Sequence, residues 1–131
     1  MTPTDATLLS GIMLLALALF HAALALGAPL AAYAWGGETE GRLPPRQQTG
    51  SMLLAPFIVA MAVVMLVRGR WLFPEMAREL DWAVWAVFLF LVTQMFGALR
   101  SQGRQERRVM TPLYAIAAGL TAYVAFNNAG F

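Results

Sequence analysis

The chain reads as an all-α integral membrane protein, a four-transmembrane-helix bundle with a short interfacial helix before the third helix. Three observations predict this. Hydrophobic residues make up 60% of the 131 residues and charged residues 12%, against about 45–50% and 25% in a soluble domain. The apolar residues gather into four stretches, Leu8–Trp35, Gly50–Arg68, Trp82–Leu99 and Val109–Phe126, each close to the ~20 residues that cross a bilayer core as a helix. The charges lie almost entirely between those stretches. Residues 1–131 therefore form a single membrane domain.

The first stretch is long. At 1.5 Å per residue, Leu8–Trp35 would reach about 42 Å as one helix. Gly27 and Pro29 interrupt it. A proline inside a helix removes one hydrogen bond and clashes with the preceding turn, so a kink is expected there. Tyr33 and Trp35 have the amphipathic rings of an interfacial anchor. The N-terminus carries no Lys or Arg, and a secretory signal needs a basic start. An uncleaved first span is expected.

The connector Gly36–Gly50 is polar and stiffened by Pro44 and Pro45. Thr49 or Ser51 suits the cap of the second helix, because a hydroxyl oxygen there accepts from the free N–H groups. Pro56 is expected near that helix's start, where proline is tolerated. The connector Trp71–Trp82 alternates apolar and charged residues. Pro74 and Glu75 resemble a helix first turn, with φ pre-set and an acid at the positive dipole end. A short interfacial helix over Pro74–Asp81 follows, with Trp71, Trp82 and Trp85 marking the interface. The third connector holds Arg100, Arg104, Arg107 and Arg108 beside one acid, Glu106. Such a cluster holds a loop in the cytoplasm and attracts anionic lipid.

Orientation follows from the arginines, since lysine is absent. With four spans, Arg42, Arg46, Arg100, Arg104, Arg107 and Arg108 share one side, and Arg68, Arg70 and Arg78 the other. The positive-inside rule places the larger group in the cytoplasm. The expectation is a multi-pass protein of a bacterial inner (plasma) membrane, with both termini on the non-cytoplasmic side.

Few residues promise chemistry. Cysteine is absent, which excludes disulfides and thiolate sites. His21 is the one histidine and lies inside the first span, where an ionisable group is by default a functional candidate. It is the candidate cofactor ligand, as an axial ligand of a haem. The alternative is a neutral, structural histidine bonded to another helix, with Gln94 or a tyrosine as partner. No cofactor and no metal site is expected. Ala18, Ala22, Ala25 and Ala28 lie beside His21 in a small-residue stripe suited to close helix contact. Gln94 is read as a packing contact. Ala115 and Gly119 belong to a similar stripe with Thr111 and Ala122 on the fourth helix, serving contact within the chain or between copies. Asn127 and Asn128 are expected to end that helix. Every acid falls in a terminus or connector, and Glu38, Glu40, Arg42 and Arg46 form a mixed-charge cluster read as a solvated loop.

In length and helix number the chain is similar to the small multidrug resistance transporters. Those couple transport to a membrane-embedded glutamate in the first helix, and Leu8–Trp35 holds no acid. The small fluoride channels share the size, but their glycine-arginine start has no counterpart. The resemblance supplies no family and no mechanism.

The sequence expectation is a small non-enzymatic membrane protein, a structural or accessory subunit in a homo-oligomer or a larger membrane complex. Its partners are membrane lipids and other membrane chains or itself. Nucleic acid is not expected, since a formal charge of +2 here reflects membrane-flanking arginines. One alternative is a small oligomeric transporter or channel. The other is a haem- or quinone-associated redox subunit using His21.

Overall fold

The computed structural model describes residues 1–37 and 39–127. Among these it is all-helical, with four long helices: α1 Pro3–Ala25, α2 Pro45–Arg68, α3 Asp81–Leu99 and α4 Thr111–Phe126. With the shorter turns that lead into α3 and α4, all four are long and apolar enough to cross a membrane.

Helix α1 starts earlier and stops sooner than the apolar stretch implies. Its start is a capping box: Thr2 Oγ1 accepts from the Asp5 N–H at 3.1 Å, and the Asp5 carboxylate accepts from the Thr2 N–H at 3.2 Å. That reciprocal pairing satisfies helix-terminal donors. Its end is set by Gly27, whose φ of +94° lies in the left-handed region, and by Pro29. Leu8–Trp35 is therefore not one helix. After α1 the chain makes two 3-10 turns, Ala31–Tyr33 and Trp35–Gly37, and hydropathy alone does not see the break.

Helix α2 begins at Pro45, whose ring pre-sets the first turn. The polar run Arg46–Gly50 is thus helical rather than loop. Thr49 and Ser51 lie inside α2 and do not cap it; Thr49 Oγ1 donates to the Pro45 carbonyl at 3.1 Å. Pro56 falls in the helix interior, not near its start. The expected short helix before α3 is present as a 3-10 helix, Pro74–Leu80, which runs directly into α3. Helix α4 is entered through a π-helical turn, Glu106–Met110. It ends at Asn127, whose side-chain amide donates to the Tyr123 carbonyl at 2.8 Å. Asn128 and Glu38 lie outside the described residues.

The helices form two antiparallel hairpins. Helix α1 packs along α2, and α3 along α4, while α1 against α4 joins the hairpins; α2 and α3 touch little. Close approach of α1 and α2 rests on two glycines. A Cβ on Gly11 would stand 2.9 Å from Leu66 Cδ2, and one on Gly69 would collide with the Thr7 hydroxyl. At the same end the Trp71 indole donates to Thr7 Oγ1 at 3.2 Å, and the Tyr123 hydroxyl to the Met1 carbonyl at 3.0 Å. The core is built from Leu14, Leu17, Ile58, Met65, Val84, Leu91, Ala117 and Val124 with their neighbours. Each helix also shows large apolar side chains outward, among them Leu19, Phe57, Leu89 and Ile116. Such faces suit lipid rather than water.

The small-residue stripes are only partly where their spacing suggests. Ala18 is buried, whereas Ala22 and Ala25 are half-buried and Ala28 lies beyond the end of α1. Ala115 and Gly119 are exposed, and nothing lies within 4 Å of where a Cβ on Gly119 would stand. The inward face of α4 is instead Tyr114, Ala117, Ala118, Thr121, Val124 and Ala125. An alanine-rich helix shows four-residue spacings on more than one face, so spacing does not select the buried one. Ala115 and Gly119 thus lie on an outward face of α4.

Candidate functional site

At the arginine-rich end of the bundle the helices leave a half-open cleft of about 330 Å³. It lies beside α2 and α3, which touch little. Helix α1 contributes His21, the 3-10 turn Trp35 and Gly36, α2 Leu54, α3 Thr93, Gln94 and Gly97, the π-helical turn Glu106, and α4 Tyr114. The chain thus brings both His21 and Gln94 to one cavity. It adds Glu106, Trp35 and Tyr114, which the sequence reading places elsewhere or passes over.

His21 does not bond Gln94. Its Nδ1 lies 3.2 Å from Ser51 Oγ, which in turn accepts from the Trp35 indole N–H at 2.9 Å. Ser51 is fully buried and His21 is 5% exposed. A hydroxyl has one proton to give and two lone pairs to accept with, so Ser51 Oγ pairs with Nδ1 in either tautomer of the ring. Nε2 has no protein partner among the described residues. Trp35 is therefore a wall of the cleft. Its φ of +54° is costly for a bulky residue, and the indole is held by Ser51 and by Gly50, where a Cβ would lie 2.6 Å from the ring.

The opposite wall is set by a crossing of the first and third connectors. Gly37 and Gly103 meet backbone to backbone; a Cβ on Gly103 would stand 2.7 Å from Gly37 Cα. The Gly36 carbonyl accepts from the N–H groups of Gln102 and Gly103 at 3.2 and 3.3 Å. Gly37 has a φ of +65°, so glycine is required there for conformation and for space. This crossing places Glu106 under the Trp35–Gly37 turn. Glu106 is 8% exposed. Its Oε2 accepts from Ser101 Oγ at 2.7 Å, and the Gly36 backbone amide acts favourably on the carboxylate. Glu106 is therefore not a loop acid. The π-helical turn, continuous with α4, directs its side chain inward.

Three polar groups at the cleft have no protein partner among the described residues: His21 Nε2, the Tyr114 hydroxyl and the Gln94 amide. The cleft thus gathers several hydrogen-bonding groups on an otherwise apolar lining. The four arginines of the third connector, Arg100, Arg104, Arg107 and Arg108, are exposed around the same end, and Arg107 donates to the Ser101 carbonyl at 3.0 Å. The Arg42 guanidinium lies against Gly27. At the far end Arg68 is buried, with Asp81 acting on it electrostatically.

No family model matches the chain, and neither a curated protein nor a solved structure matches it.

Proposed function

We propose that the chain is a multi-pass membrane protein without covalent chemistry of its own, an accessory subunit that holds a small amphipathic molecule in the cleft between α2 and α3. One observation carries this reading: His21, Gln94 and Tyr114 each present an unpaired polar group to one cavity at the end of an otherwise apolar bundle. The cavity volume of about 330 Å³ lies at the lower end of the ~300–1,000 Å³ usual for ligand sites. It fits a compact headgroup. The thin α2–α3 contact leaves the apolar remainder of such a molecule a lateral way out toward lipid.

The test is native purification in a mild detergent, followed by organic extraction and mass spectrometry. The expected result is a small molecule recovered at near one per chain from wild type and lost from Gly97→Leu. That substitution adds a side chain where an added Cβ meets nothing within 4 Å, so it fills the cleft without disturbing packing. Equal recovery from both would refute the reading.

A second reading, a small oligomeric transporter, draws on Glu106 and His21 lining one cleft, since intramembrane ionisable groups mark substrate and proton paths. The exposed Ala115–Gly119 stripe offers the self-association that it needs. Proteoliposomes distinguish the two, because a transporter moves the recovered molecule across the bilayer and a holding subunit does not.

A further inference from the structure

Resting on the cleft reading above, we infer that the headgroup it takes is a neutral, oxygen-bearing aromatic ring of the quinone class. Charge decides first. The cleft lies toward the end that carries Arg42, Arg46, Arg100, Arg104, Arg107 and Arg108, a field that repels a cationic headgroup on its approach. An anionic headgroup would meet the Glu106 carboxylate inside. A neutral headgroup avoids both penalties.

Hydrogen-bond character decides next. The Tyr114 hydroxyl and the Gln94 amide can donate, and the Trp35–Ser51–His21 chain leaves His21 Nε2 free at the cleft, a donor in the tautomer that carries its proton there. Glu106 already accepts from Ser101. Ligand oxygens that accept, as quinone carbonyls do, pair with these donors. Shape agrees. Trp35 and Tyr114 supply aromatic walls, and Gly36 and Gly97 leave open backbone where a flat ring lies close. Beside the cleft the thin α2–α3 contact includes the edge-to-face pair Phe57–Phe90, with centroids 5.8 Å apart. An isoprenoid tail leaves along that apolar seam. The inference concerns binding alone, with no change in the redox state of the ring.

Tryptophan emission reads the test, because Trp35 lies at the cleft while Trp71, Trp82 and Trp85 lie at the other end of the bundle. The full chain in nanodiscs is titrated with a benzoquinone bearing one isoprenoid unit, and separately with an alkyltrimethylammonium and an alkyl sulfate of similar length. The expected result is saturable quenching by the quinone alone. Affinity should fall about fivefold in Gln94→Leu and in His21→Leu, the loss of roughly one neutral hydrogen bond each, and the quench should vanish in Trp35→Phe. Gln94→Leu, at a half-buried position, keeps the test clear of folding failure. Linear quenching unaltered in these variants would overturn the inference. Tighter binding of the ammonium or the sulfate would overturn the headgroup and leave the cleft reading standing. If none of the probes binds and native extracts carry no small molecule, both fall.

Discussion

His21 in α1 and Ser51 in α2 face each other with Nδ1 3.2 Å from Oγ, and the Trp35 indole closes the chain from the turn that follows α1. One serine hydroxyl thus holds a histidine and a tryptophan. Ser51→Ala leaves the buried His21 Nδ1 unpaired, at a cost of about 1–3 kcal/mol, and frees the part-buried indole N–H. The melting temperature in detergent should fall, and Trp35 emission should shift as the ring is released. An unchanged melt would show that the hydroxyl carries no weight.

Substitutions at His21 separate structure from ligation. His21→Gln keeps a hydrogen-bonding group toward Ser51, whereas His21→Leu leaves Ser51 without it. The order of stability should be wild type, then Gln, then Leu, by about 1 kcal/mol for the last step. A visible absorption band in the purified wild type, lost in both variants, would instead make His21 a haem ligand.

The crossing of Gly37 with Gly103 should be intolerant of any side chain. Gly103→Ala would force the connectors apart, with a cost of about 1–3 kcal/mol as in other overpacked contacts. Gly119→Ala is the contrasting substitution. It faces open space inside a helix, where alanine is favoured over glycine by about 0.5–1 kcal/mol. Paired thermal melts should move in opposite directions; a fall in both would place Gly119 at a contact between copies.

The two faces of α1 should differ in the same way. Ala18 is 4% exposed and Leu19 is 72% exposed. Ala18→Leu should destabilise the bundle by about 1–3 kcal/mol, while Leu19→Ala should leave the melt within error in detergent. Equal effects would mean that α1 is rotated from the packing described.

Much of this architecture is legible in the sequence, and the reason is length. Four apolar runs near the span of a bilayer core leave little choice of fold. Boundaries are less legible, because caps and breaks depend on single residues. Thr2 and Asp5 start α1 among polar residues, and Gly27 and Pro29 end it inside an apolar run. The cleft is least legible. Ser51 has the composition of a cap and Glu106 that of a loop acid. Only the register of α2, which begins at Pro45, and the π-helical turn before α4 direct them inward. His21 is the exception, since a lone ionisable group in a span is visible as such, although its partner comes from a residue assigned another task.

The most direct test of the cleft uses the chain's lack of cysteine. Gly97→Cys places a single thiol on the cleft wall, where an added Cβ meets nothing within 4 Å. Maleimide labelling is followed in freshly purified protein, in protein stripped by organic wash and exchange into clean lipid, and after the extract is returned. Slow labelling, then fast, then slow again is the pattern expected of a cleft that holds a small molecule. The same rate in all three states would contradict it.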